Sequence, residues 1–199
     1  VEQIISKKEV DELMDIKGEV RGVVFETTSK FIVKEEGEEG LRKLEQTMAE
    51  LGHPLKISEV RKLDFYPLGL WGLFLLSIER LFNYDDEKFR ELGESNAKFS
   101  IIIRLFMKYF FSPEKVMTLV SKMWRKYYTE GVLKKVEFNK KEKYLILRIE
   151  NFHFHQLLCK DLIGYFAAVT QMIFKDKVTC KETKCVHRGD KYHEFLLTW

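Results

Sequence analysis

The stretch "KETKCVHRGDKYHEF", residues 181–195, sets Glu182, Cys185 and His193 around a Gly189-Asp190 turn. A carboxylate, a thiolate and an imidazole can each bind a metal ion. A three-residue loop, Arg188-Gly189-Asp190, with positive φ at or beside Gly189 puts Cys185 directly opposite His193. Opposed side chains lie about 4.5–5.5 Å apart at Cβ, close enough to share one ion. A two-residue Gly-Asp loop makes the pair diagonal instead. Glu182, three residues before Cys185, faces the other way in a regular strand. It joins the pair only if a bulge or a strand end falls near Thr183. Cys159, on the helix leading into this hairpin, is a candidate fourth donor. Two thiolates, an imidazole and a carboxylate suit a tetrahedral zinc ion and disfavour magnesium and calcium. On spacing alone, Glu-x2-Cys-x7-His equally describes an ordinary surface hairpin, since no Cys-x2-Cys pair is present.

Other groups with chemical potential are weaker. In "FHFH", residues 152–155, alternation turns Phe152 and Phe154 inward and His153 and His155 outward. His155 also sits four residues before Cys159, on its helical face if the helix reaches back that far. Cys180 reads as a small buried strand residue. Arg188-Gly189-Asp190 reads as a turn. Gly-rich phosphate loops, nucleophile elbows and paired carboxylates in an apolar setting are missing, so nothing identifies an enzyme.

The elements that must position these residues follow from periodicity. A short helix spans residues 6–16, capped by Ser6. Helical spacing continues from Gly18 to Glu36, and Gly37 is expected to end that element. A helix then runs to a stop at Gly52. Residues 53–67 read as a connection with a short helix inside. An apolar helix covers Leu68 to Phe82. One or two helices follow, with a break expected at residues 93–96. Another helix opens on Ser112 and Pro113 and ends before Gly131. Two strands then flank a turn at Asn139–Lys143. A helix carries Leu158, Leu162, Phe166, Val169 and Ile173 on one side, and a closing hairpin ends the chain. The class is α+β: a helical N-terminal half packed on a C-terminal antiparallel sheet of β-β-α-β-β order. One domain of 1–199 is expected, with a helical extension at 1–17, a helical part at 18–130 and the sheet-bearing part at 131–199.

The 199 residues carry a net charge of +3, with basic residues dispersed, which gives no footprint for nucleic acid. Hydrophobic residues reach 45%, including 16 Phe, enough for a sizeable core. The longest apolar run, "PLGLWGLFLLSIERLF", is cut by Glu79 and Arg80, so no membrane span is expected. Three cysteines and no signal peptide lead to an expectation of a cytoplasmic protein without disulfides.

The C-terminal third resembles the 4-vinyl reductase domain, a small-molecule-binding domain that is also the sensor region of phenol-responsive transcription activators. The resemblance rests on Glu182, Cys185, Gly189-Asp190, the position of His193, Phe195, and Cys159 with Gly164. It implies a zinc ion on Cys159, Glu182, Cys185 and His193. This sequence departs from the pattern at His193, where the family has Cys. The front stretch "RGVVFETTSKFIVKEEGEEGLRKL" resembles the N-terminal helices of haem-nitric-oxide-binding domains. These share a superfamily with the 4-vinyl reductase domain and with Golgi vesicle-tethering subunits. Haem binding in that class needs a proximal His and a Tyr-x-Ser-x-Arg clamp. The helices from Leu68 to Tyr128 contain no His, and the clamp is missing, so no haem is expected. The resemblance implies a homodimer that holds a small apolar or aromatic molecule in its helix–sheet interior, lined by Trp71, Phe106, Trp124 and His153. Two other functions stay open: an assembly domain using an exposed helix face, and an enzyme in which water replaces one zinc ligand.

Overall fold

The structure is a computed structural model that describes residues 4–109 and 118–199. Helix α1 (Lys7–Met14) begins at Ser6, whose hydroxyl accepts from the Glu9 N–H while Glu9 reaches back to the Ser6 N–H. This reciprocal cap satisfies two backbone donors that the first turn leaves open. Strand β1 (Glu19–Arg21) follows, then helix α2 (Val23–Glu50). Gly37 kinks α2 with φ 72° and ψ 179°, but helix resumes beyond it. The expected boundary at Gly37 is therefore present as a kink between two helical stretches. Strand β2 (Phe65–Pro67) pairs antiparallel with β1.

That small sheet is a departure from the all-helical front half expected from periodicity. Three-residue strands are too short to show a period of two. They are held instead by side chains: the Arg21 guanidinium lies 3.8 Å over the Phe65 ring and its Nε donates to the Lys126 carbonyl at 2.9 Å.

Helix α3 (Leu68–Phe82) has the bounds its sequence predicts. Helix α4 (Asp86–Phe99), capped by Asp85, runs straight through residues 93–96. The break comes at Ser100, whose backbone is extended, before α5 (Ile101–Tyr109). Gly93 is thus not a helix stop. It is where α4 crosses the later helix α7 (Leu157–Phe174). A Cβ on Gly93 would lie 1.9 Å from the Asp161 carbonyl oxygen, and one on Gly164 would lie 1.9 Å from that of Arg90. Two glycines facing each other let these backbones approach closer than any side chain allows.

Helix α6 (Val120–Tyr127) is the described part of the helix expected to open on Ser112 and Pro113; those two caps lie outside the described residues. The second half is as the sequence predicts. Strands β3 (Val132–Asn139) and β4 (Tyr144–Glu150) form a hairpin, α7 follows, and β5 (Thr179–Lys184) and β6 (His193–Thr198) complete an antiparallel sheet of spatial order β3-β4-β6-β5. Strict alternation turns Leu145, Leu147 and Ile149 of β4, and His193, Phe195 and Leu197 of β6, toward the helices.

By length and composition α7 is apolar enough to cross a bilayer, a property hidden in the sequence by Lys160 and Asp161. Half of it is buried inside the fold, between α4 and the sheet, as expected of a core helix.

Candidate functional site

Strand β5 exposes alternate residues until Thr183, where a bulge shifts its register against β6. Glu182 faces Phe195, and Lys184 faces Glu194. The bulge flips the parity of the strand, so Glu182 and Cys185 both turn toward the core. Past Lys184 the chain leaves the ladder. The connection is longer than the three residues expected: a 3-10 turn at Val186–Arg188 and Gly189 at φ 90° lie within it. Cys185 is fixed at the start of this turn. Its N–H donates to Asp190 Oδ2 at 2.8 Å, and its carbonyl accepts from the N–H groups of Arg188 and Asp190.

The four side chains singled out in the sequence meet here. Single donor atoms of Cys159, Glu182, Cys185 and His193 all lie within 4.8 Å of one another. Cys159 Sγ is 3.8 Å from Cys185 Sγ and 3.6 Å from His193 Nδ1, and that nitrogen is 3.2 Å from Glu182 Oε1. With standard zinc–ligand bond lengths, a tetrahedral ion has S–S, S–N and N–O edges of about 3.8, 3.6 and 3.4 Å. The three measured edges match that figure to within a few tenths of an ångström. Cys159, Cys185 and His193 are buried, and the Glu182 side chain is only 6% exposed. The donor set and its geometry therefore fit zinc.

Burial, with the nearby Glu182 carboxylate and Cys185, pushes the Cys159 thiol well above its ordinary range. Burial also opposes ionisation of Glu182, but bonds with His193 and Cys185 outweigh it and hold the carboxyl below its usual value. Arg188 Nη1 grips the other carboxylate oxygen, Oε2, at 3.1 Å. That contact orients Glu182 from outside the cluster. Sequence reading treated Arg188 as part of a turn; its place six residues after Glu182 carries no periodic signal.

The other cysteine and histidines stand apart. Cys180 is half-buried on β5, and burial pushes its thiol up to about 12. His153, expected to line the interior site with Trp71 and Trp124, is instead exposed and borders a surface groove with Glu79 and Arg80, because alternation along residues 152–155 turns Phe152 and Phe154 inward. His155 Nδ1 accepts from the Leu157 N–H at 3.4 Å at the start of α7.

A second feature adjoins the cluster along α7. A cavity of about 80 Å³, partly open to the surface, is lined by residues of α2, α3, α4, α5, α6, β3, β4 and α7. Trp71 and Trp124, expected to line an interior site, are on its wall. The Phe106 side chain is outside the described residues. Among the described residues, the Trp71 indole N–H meets no acceptor, and the Tyr165 hydroxyl is turned toward Tyr127 without a well-formed bond. Asp161, 4% exposed, accepts from Asn96 Nδ2 at 3.0 Å, and Asn96 Oδ1 accepts from Thr28. Burial raises the Asp161 carboxyl to about 7.

No protein-family model matches the chain, and neither does any curated protein. Among solved structures it is similar to an H-NOX protein from S. oneidensis in its Fe(II)NO ligation state. The TM-score is 0.67 at 13% identity, covering 89% of this chain and 97% of that one. The chain has the H-NOX fold. A doubly substituted Tt H-NOX agrees, with a TM-score of 0.64 at 13% identity over 90% of this chain and 94% of that one. A vinyl-4-reductase family protein from Methanocaldococcus jannaschii also matches, at 19% identity over 71% of this chain and 84% of that one, with a TM-score of 0.44. Likeness to the haem-nitric-oxide-binding (H-NOX) class thus extends over both halves of the chain, beyond the front-half helices that carry it in the sequence.

Proposed function

We propose that this chain is a small-molecule-binding module of the sensor type, with a structural zinc ion and a ligand held in the helix–sheet interior. The observation that carries the reading is the four-donor cluster beside an apolar cavity. Cys159 lies on α7, which also lines the cavity, and the remaining donors lie on the closing hairpin. A zinc ion there would fasten that hairpin to the helix that shapes the ligand site. Four protein donors leave no coordination position for water, so the ion would stabilise the fold and would not activate a nucleophile.

The H-NOX neighbours include proteins studied for iron ligation and haem redox potential. For this chain we propose a haem-free interior. No histidine is among the described lining residues, and a cavity of about 80 Å³ suits a far smaller occupant. Three free thiols suit a reducing compartment, which supports a cytoplasmic location. Phe99, Ile101 and Leu105, exposed around the α4–α5 corner, favour an assembly role as the second reading. Native mass spectrometry of the purified chain tests both. A zinc-bearing species that carries a small molecule supports the sensor reading. A chain that holds no small molecule under any growth condition but binds a protein partner through that corner contradicts it.

A further inference from the structure

The interior cavity contains an acid with no counter-ion. Asp161 sits on its wall, and its one hydrogen bond among the described residues comes from the neutral Asn96 amide. No lysine or arginine among the described residues pairs with it. The neighbouring Lys160 turns outward and binds Asp86 Oδ2 at 2.5 Å. The wall that holds Asp161 also carries, among aliphatic side chains, the rings of Trp71, Trp124, Tyr127, Tyr128 and Tyr165. Trp124 stacks on Tyr128 at 4.3 Å between centroids, and Tyr127 meets Tyr165 edge-on at 6.0 Å.

A buried acid whose one hydrogen-bond partner among the described residues is neutral leaves an open position that a cation can complete. Ring faces attract cations, most strongly where water is excluded. Apolar walls, several aromatic rings and one buried acid together describe an environment that suits an ammonium group. We infer that the interior site takes a small amine, with Asp161 as the counter-ion and the aromatic rings as its box. The inference rests on the reading of this cavity as a ligand site and names the class of ligand.

Size restricts the amine further. A cavity of about 150 Å³ holds benzene, so the 80 Å³ here suits an ammonium on a short hydrocarbon. A neutral hydroxyl compound is the rival. It would donate to Asp161 and accept from the Trp71 N–H.

The test uses the zinc-loaded full chain and two probes of equal size, propylamine and propan-1-ol. Two-dimensional ¹H–¹⁵N NMR resolves three indole N–H signals, one for each Trp. Trp71 and Trp124 line the cavity, whereas Trp199 packs against Phe138 and Phe174 and serves as an internal control. Propylamine is expected to shift the Trp71 and Trp124 signals saturably and to bind on the order of tenfold or more tightly than propan-1-ol. In Asp161→Asn that preference disappears while the alcohol affinity stays the same. The wild-type comparison stands alone if the variant does not fold. Propan-1-ol binding as tightly as the amine, or Asp161→Asn keeping the amine preference, overturns the inference and leaves the ligand site intact. If neither probe moves the Trp71 and Trp124 signals, both the amine and the ligand-site reading fall.

Discussion

Gly164→Ala isolates the physics that sets Cys159 and Asp161 in place. The new Cβ would lie 1.9 Å from the Arg90 carbonyl oxygen and 2.8 Å from its carbonyl carbon. Non-bonded heavy atoms settle near 3.5 Å, so α4 would retreat from α7 by roughly 1.5 Å. Overpacking of this kind costs about 1–3 kcal/mol. The retreat also stretches the Asn96–Asp161 hydrogen bond, adding about 1 kcal/mol. Helix propensity pulls the other way, because Ala in place of an interior Gly gains up to about 1 kcal/mol. The net loss is about 1–3 kcal/mol. At about 2–4 °C per kcal/mol for a chain of this length, thermal unfolding followed by circular dichroism should show the midpoint fall by roughly 2–12 °C. The sign decides the matter. A midpoint equal to or above that of the wild type would mean that propensity wins and that the close crossing is not what positions these residues.

Arg188→Ala removes the guanidinium from Glu182 Oε2 and leaves all four donors in place; competition with a chromogenic chelator should show zinc affinity about tenfold weaker, with the fold retained. Because burial keeps the Cys159 thiol protonated without metal, zinc binding at pH 7 in unbuffered solution should release at least one proton per ion, and the affinity should fall as the pH drops. If pH-stat titration finds no proton release, Cys159 is not a ligand. His193→Cys should retain one zinc per chain, since a thiolate can replace the imidazole, whereas His193→Ala should lose it; equal metal content in the two variants would remove His193 from the shell.

Much of this arrangement was legible in the sequence, and the reasons differ by element. The bounds of α3 and the β3–β4 hairpin follow from strong local signals: a run of apolar residues behind Pro67, and a polar turn between alternating strands. The bulge at Thr183 was implied by spacing, because Glu182 and Cys185 cannot otherwise reach one ion. The length of the loop after Cys185 was not legible. It depends on the Asp190 carboxylate holding the Cys185 N–H, a contact with no periodic trace. Gly93 looked like a breaker because glycine destabilises an isolated helix; its role is set by a second helix that arrives about seventy residues later. The β1–β2 pair was invisible for the same reason, since Arg21 packing on Phe65 and reaching Lys126 is a tertiary event. His193 was read as one member of a hairpin pair. Its fuller role is as the first inward residue of the β6 stripe, where alternation carries it into the core beside Cys159.

The central claim is that Cys159, Glu182, Cys185 and His193 form one closed zinc shell that fastens the last hairpin to α7. Metal analysis of the purified full chain by inductively coupled plasma mass spectrometry tests it most directly. The account predicts one zinc per chain in the wild type, and its loss together with hairpin order in Cys185→Ala. A wild-type chain that carries no zinc, and takes up none when offered it at neutral pH, would contradict the account.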